Sequence, residues 1–388
     1  MGFIDFTNPD ACKWYQGKLQ ALIDMGADSF KTDFGERIPT GDVVYFDGSN
    51  PEKMHNYYAF LYNKVTFEVL ERNFGSHNSA LFACSATAGC QRFPVHRGRD
   101  PYSTFEAMAE TLHGGMSLAL SRFGYWAHDI GGFEGKPGPA LFKRWIAFGL
   151  FSSHSRLHGR GSFWVPWLID EIGEADKVLK HFVRTKHSLM PYLYSRAIEM
   201  HKTGGPMLQE PFPEYPNDPI AWSLDMQYFL SDSLLVAPVF NAKGEVQYYL
   251  PKGDWYGILD GKVRTGGGYV TEEHSFFSLP VLLHPGSAIF CSLGEDKENV
   301  VYDWSKGVKL LIIRVKGMDM TVRIADHEKP GELKVVVQVR DGPDGVTVEV
   351  VDGKLNGSMD IAVVNKDIID GNTLHLKDGQ TKVTIKLK

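Results

Sequence analysis

Four segments of this 388-residue chain gather residues able to do chemistry, each where a short apolar run stops. They are Lys31-Thr32-Asp33-Phe34-Gly35-Glu36, Val95-His96-Arg97-Gly98-Arg99-Asp100, Tyr125-Trp126-Ala127-His128-Asp129-Ile130 and Ser152-Ser153-His154-Ser155-Arg156-Leu157-His158. Carboxylates contributed by separate strand ends are what glycoside hydrolysis needs. One acts as nucleophile and one as acid/base, ~5–5.5 Å apart in retaining enzymes. Aromatic rings such as Trp126 offer flat apolar faces to sugar C–H groups. Taken singly, these residues have plainer readings. An Asp after a strand commonly caps a helix or closes a turn. His154 and His158 stand four apart, but without the Glu of an HExxH arrangement they read as hydrogen-bonded structural histidines. Asp33-Phe34-Gly35 matches a kinase triplet, yet no Gly-rich loop, β3-type lysine or catalytic loop accompanies it. Trp145, Trp164 and Trp167 read as packing residues. Gly266-Gly267-Gly268 lacks the Gly-Lys-Ser/Thr ending of a phosphate cradle and reads as a loop.

The elements that position these residues alternate. Asn8-Pro9-Asp10 reads as a helix start, with Asn8 or Thr7 as cap and Pro9 in the first turn. That helix continues to Met25, where Gly26 ends it, and 27–33 reads as a strand. A helix around 56–70, a strand at 80–85, a helix over 104–112, a strand near 117–120 and a helix from about Ala140 follow. Such alternation predicts a parallel sheet wrapped by helices, open or closed into a barrel, with its chemistry at the C-terminal strand ends. From about 205 to 300 the pattern is β-rich, as in Val246-Gln247-Tyr248-Tyr249-Leu250. The 24 Phe, 16 Tyr and 8 Trp all lie at or before Trp304, so a differently built region follows. There, period-two runs such as Val346-Thr347-Val348-Glu349-Val350 predict a small antiparallel β domain. Asp-Gly or Asn-Gly pairs at 352–353, 356–357, 370–371 and 378–379 read as its hairpin turns.

Composition excludes several classes. A net charge of −6 argues against a nucleic-acid or anionic-membrane binder. No apolar stretch approaches the ~20 residues of a membrane span. The N-terminus lacks a signal-peptide pattern, which predicts a cytoplasmic protein. Cys12, Cys84, Cys90 and Cys291 are too scattered for a disulfide framework or a zinc site.

Three long motifs decide between the functional and the plain readings. Lys31-Thr32-Asp33-Phe34-Gly35-Glu36-Arg37-Ile38-Pro39, His128-Asp129-Ile130-Gly131-Gly132-Phe133 and Ser153-His154-Ser155-Arg156-Leu157-His158-Gly159 strongly resemble glycoside hydrolase family 31, nearest its bacterial α-xylosidases. Met190-Pro191-Tyr192-Leu193-Tyr194 and Leu235-Val236-Ala237-Pro238-Val239 extend the likeness to about residue 290. The resemblance implies Asp33 as nucleophile and Asp100 as general acid/base. It implies Asp129 and His158 as partners of sugar hydroxyls, and Lys31 as a residue narrowing the −1 subsite toward xylose. Lys31 would help keep Asp33 ionised, whereas Asp100 needs a raised pKa. No metal or organic cofactor is implied, and the substrate would be an α-xyloside or α-glucoside.

Departures accompany the likeness. Cys84 stands where the family carries an arginine that reaches the sugar, and a neutral thiol has no comparable fork of donors. Arg97 and Arg99 replace the Trp and one Gly of a His-Trp-Gly-Gly-Asp segment, adding positive charge beside Asp100. Arg122 stands where glycine is usual, in a strand-end segment with little room. These changes predict impaired hydrolysis, with an inactive remnant or carbohydrate-binding fragment as the alternative. In the family the nucleophile closes the fourth strand of a (β/α)8 barrel. Residues 1–205 would therefore supply about strands 4–8, followed by β-sandwich domains at 206–300 and 301–388. An open barrel exposes sheet edges and an apolar interior. A homo-oligomer or a complementing N-terminal half chain would cover them.

Overall fold

The computed structural model describes residues 2–98, 100–161, 164–294, 302–365 and 373–386. Asn8 does cap the first helix: its side chain accepts from Asp10 N at 2.9 Å, Pro9 fills the first turn, and α1 runs Pro9–Asp24. Asn50 likewise caps α2 (Pro51–Phe74), and Thr104 caps α3 (Phe105–Leu120). α4 (Pro139–Leu150), the one-turn α5 (Pro166–Ile169), α6 (Glu174–Ser188) and α7 (Met190–Thr203) complete the helices of this layer.

Between the helices lie very short parallel strands. β1 (Phe30–Thr32), β2 (Leu81–Ala83), β3 (Val95–Arg97) and β4 (Tyr125–Ala127) form one sheet in that order, and β5 (Asp129–Ile130) pairs with β6 (Arg156–Leu157). The expected strand near 117–120 is absent: those residues are the last turn of α3, and the strand begins at Tyr125. The apolar run there fits a buried helix end as well as a strand, and three-residue strands are too short for periodicity to locate.

Register decides which side chains reach the site. Thr32, Ala83, His96 and Trp126 align across β1–β4. Alternation puts this row on the helix-facing side. There Thr32 donates to Asn63 Oδ1 of α2 at 2.7 Å, and Trp126 packs against α3 at Gly115. Lys31, Asp33, Phe82, Cys84, Val95 and Arg97 fall on the opposite face.

The second layer is β-rich. β7 (Leu208–Gln209), β8 (Tyr228–Leu230), β9 (Leu234–Val236), β11 (Asp254–Gly257), β12 (Val263–Thr265) and β14 (Val281–Leu283) make a six-stranded sheet. β10 (Glu245–Leu250) pairs with β13 (Gly268–Glu273). One apolar core runs from α3, α4, α6 and α7 into this sheet. Arg144, 3% exposed, ties the layers by donating to the carbonyls of His274 and Ser275, both at 2.8 Å.

Last comes a two-sheet sandwich. β15 (Ala288–Ser292), β16 (Lys306–Ile313), β20 (Asn356–Val364) and β21 (Thr373–Leu376) form one sheet. β17 (Asp319–Ala325), β18 (Leu333–Gly342), β19 (Gly345–Gly353) and β22 (Lys382–Ile385) form the other. Three of the four expected hairpin pairs lie at two crossovers instead. Asp352-Gly353 ends β19, Asn356-Gly357 opens β20 in the opposite sheet, and Asp378-Gly379 links β21 to β22 across the sandwich. The pair at 370–371 lies outside the described residues. A tight hairpin is found at Gly342–Gly345, between β18 and β19. The sandwich is not wholly antiparallel, since β16 and β20 run parallel. Among the described residues, no helix is long and apolar enough to cross a membrane.

Candidate active site

Most of the site residues lie at or just past the C-terminal end of a parallel strand, where the ladder stops and side chains can converge; Lys31 is central in β1, and Asp129 opens β5 just after β4. Asp33 follows β1 and is 51% exposed; Lys31 Nζ lies 2.9 Å from its Oδ2. Burial by itself would raise the Asp33 carboxyl. The hydrogen bond and charge of Lys31, with help from Cys84 and Arg97, outweigh that and hold it below the ordinary carboxylate range. Cys84 follows β2 and touches both Asp33 and Arg97. Burial raises its thiol above the usual value despite the nearby guanidinium, so it stands as a neutral S–H.

Arg97, at the end of β3, is the hub. Its side chain is 2% exposed; Nη1 donates to Asp129 Oδ2 at 2.6 Å and Nη2 donates to Asp100 Oδ1. Burial opposes its charge, but Asp129, Cys84 and Asp100 together raise its pKa. Asp129 is 0% exposed; its other oxygen accepts from Arg156 Nε at 2.7 Å. Phe133 lies under the Arg97 guanidinium (5.7 Å) and beside the His158 ring (5.4 Å); Phe82 lies under Arg156 at 4.9 Å. The His158 imidazole is lowered first by burial and then by the Arg156 charge.

The structure therefore brings Lys31, Asp33, Cys84, Arg97, Asp100, Asp129 and His158 together. Lys31, Asp33, Asp100, Cys84 and His158 are reachable from outside, whereas Arg97 and Asp129 lie beneath them. Trp126 is not part of the group. It is 3% exposed on the helix-facing side, its ring stacked on His128 at 4.6 Å, and it presents no face to a ligand. Asp129 likewise differs from expectation: both carboxylate oxygens are taken by guanidinium groups, so none is open to a sugar hydroxyl. Trp145 and Trp164 are buried as expected, but Trp167 is 63% exposed. Arg122 is exposed at the end of α3 rather than crowded at a strand end. Glycine suits that position because its φ is +63°, in the left-handed region.

Sequence reasoning passed over Arg156. Its signal was present: it shares a motif with His158, and β6 pairs it directly with Asp129. Parallel strands wrapped by helices, with acidic residues converging at their C-terminal ends, define a barrel-type candidate active site.

Comparison with known proteins agrees. Residues 1–196 match the model of the glycosyl hydrolases family 31 TIM-barrel domain, and 204–289 match that of the family 31 C-terminal domain. The chain belongs to glycoside hydrolase family 31, and its parallel strands are the later part of a (β/α)8 barrel followed by β-sandwich units. It is 46% identical over 358 residues to an alpha-xylosidase of Emericella nidulans, which covers 89% of this chain and 45% of that protein. It is 42% identical over 354 residues to alpha-xylosidase XylQ of Lactiplantibacillus pentosus, covering 88% and 45%. Among solved structures it resembles the cycloalternan-forming enzyme of Listeria monocytogenes in complex with a pentasaccharide. That match has a TM-score of 0.85 and 25% identity, covering 97% of this chain and 40% of that one. The chain thus spans under half the length of the relatives it matches.

Proposed function

We propose that this chain carries the catalytic carboxylates of a retaining α-glycosidase acting on terminal α-xylosyl, or α-glucosyl, residues. The supporting observation is that Asp33 and Asp100, from the ends of nearby parallel strands, share Arg97 as a neighbour while Lys31 favours the Asp33 anion. Asp33 attacks the anomeric carbon, and its oxygen forms a glycosyl–enzyme ester as the C–O bond to the leaving group breaks. Asp100 donates its proton to the leaving oxygen, then takes a proton from water as that water attacks the anomeric carbon and releases Asp33. Lys31 narrows the sugar site and His158 meets a sugar hydroxyl. Asp129 acts indirectly, by holding Arg97 and Arg156 in place. A chain carrying the remaining βα units, or a second copy, covers the free side of β1, which has no neighbour in its sheet beyond β2 among the described residues.

One observation favours a second reading, sugar binding without turnover: Arg97 occupies Asp100 Oδ1, the carboxyl that must carry the proton. Release of p-nitrophenol from aryl α-xyloside and α-glucoside, with Asp33→Ala as control, separates the two. Release abolished by the substitution supports hydrolysis. Saturable xylose binding with no release supports the second reading, and neither would refute both. Solution mass measured beside the assay tests the covering partner.

A further inference from the structure

Behind the site, a segment of three serines and a histidine (152–155) leads into β6, and its polar atoms are pinned from every side. Ser153 Oγ accepts from Trp126 N at 3.0 Å and donates to Trp126 O at 2.8 Å, imitating a strand partner for β4. Ser152 Oγ meets His128 Nε2 at 3.0 Å, and Ser155 Oγ donates to Gly149 O at 2.5 Å. Into the middle of this segment reaches one cation, Lys186 Nζ from the last turn of α6. It donates to Ser152 O (2.8 Å), Ser155 Oγ (2.7 Å) and, less closely, Ser153 O (3.3 Å). An ammonium has three donors, and here three neutral oxygens of one segment accept them. The residue that follows is Arg156, whose guanidinium grips Asp129.

We propose that Lys186 is a positioning residue: its ammonium pins 152–155 and thereby holds Arg156 on Asp129, and through Arg97 the orientation of Asp100. This rests on the reading of the site as a glycosidase. A methionine or leucine would fill the same space without the expense of desolvating a charge. A cation facing only uncharged oxygens is therefore informative, because it places directional donors where packing alone could not.

The arrangement has a pH consequence. Burial brings the Lys186 amine down to about 7. The neutral amine keeps two N–H donors, so one of the three acceptors loses its partner as pH rises. The titratable groups facing it are His128, His154 and, through His154, Tyr125. Burial, with the Lys186 charge adding to it, holds His128 at about 3, and burial lifts Tyr125 to about 12. His154 is exposed beside Ser153 Oγ, and a His154→Gln control removes its titration.

Hydrogen exchange of the amides in 153–158, expressed as protection factors on the full chain, tests the pin without any need for activity. At pH 6, Lys186→Met should lower protection there at least tenfold while β8 and β9 keep theirs, and Lys186→Arg should preserve it. Between pH 6 and 9 the parent and His154→Gln chains should lose protection, whereas Lys186→Arg should not. Parental protection in Lys186→Met, or the same pH response in the parent and Lys186→Arg, would overturn the proposal. If Lys186→Met does not fold, the pH comparison alone decides. With p-nitrophenyl α-xyloside, Lys186→Met should lower kcat at least tenfold with KM little changed, and Lys186→Arg should restore it. A change confined to KM would refute the link to Asp100. Exchange effects as expected in a chain that releases no p-nitrophenol would sink the glycosidase reading and leave the pin standing.

Discussion

Arg97→Met is the substitution whose outcome depends most directly on the architecture. It deletes a guanidinium that is 2% exposed and bonded to Asp129 and Asp100, while roughly keeping the side-chain volume. Removing one partner of a buried ion pair costs about 3–5 kcal/mol when the other charge is left alone. Asp129 is not left alone, because Arg156 keeps its hold at 2.7 Å. About half of that cost, about 2 kcal/mol, is therefore expected. At about 1 °C per kcal/mol for a cooperative unit of 388 residues, Tm should fall by about 2–3 °C. Near-UV circular dichroism reports the change through the aromatic core behind β4. Arg97→Lys should land between parent and Met, since it keeps the charge but not the two-pronged geometry. A double-mutant cycle with Asp129→Asn should give a coupling of at least about 1 kcal/mol. A Tm for Arg97→Met within about 1 °C of the parent, or strict additivity in the cycle, would refute the assignment of Arg97 as hub.

Other outcomes follow from the same geometry. Cys84→Arg alone should destabilise the chain, because it sets a second guanidinium against Arg97; combined with Arg97→Trp, which removes that repulsion, it should do less harm, as read from Tm. Arg122→Gly should stabilise by about 0.5–1 kcal/mol, relief of left-handed strain exceeding glycine's entropy cost, as read from Tm. Gly115→Ala gains about 1 kcal/mol of helix propensity, but its Cβ would stand 2.7 Å from the Trp126 ring. Overpacking of about 1–3 kcal/mol should win, so this alanine should lower Tm. The Asp33 carboxyl is depressed in the fold, so its pairing with Lys31 is present above the ordinary carboxylate pKa and lost as pH falls through the lowered value. Lys31→Met should shift the acid limb of activity, or the Asp33 carboxyl resonance, to higher pH.

Much of this was legible in residue order, and the misses have physical causes. Helix starts declared themselves through local bonds, as Asn8 and Thr104 show, because a cap needs only its own next few residues. Clustering of Asp33, Cys84, Arg97 and Asp100 was legible from motif likeness. Facing is not: residue type and motif put Trp126 with the site, yet register with Thr32, Ala83 and His96 turns it toward the helices, and three-residue strands offer no period to reveal that. The motif likeness alone makes Asp129 a sugar ligand, because one motif does not disclose that a second strand brings Arg156 onto it. In the last sandwich the Asp-Gly and Asn-Gly pairs mislead: those at 352–353 and 356–357 end and open strands of opposite sheets, and the tight hairpin falls at Gly342–Gly345 instead.

The sheet of β15, β16 and β20 has two working faces. Ile289, Leu311, Ile313, Ala362 and Val364 belong to the core shared with the helices, whereas Phe290, Leu310, Ile312, Ile361 and Val363 belong to the sandwich interior. Successive residues of a single strand thus report to different compartments, and the sheet works as a party wall between them. Loosening it from either side exposes apolar surface on both. The aromatic-free C-terminal region is distinct in composition but not in energetics: heat or denaturant should carry it and the site-bearing layer through one shared transition. A cavity cut at Ile312 should then be felt, through the wall, at the strand ends where Asp33 and Asp100 stand.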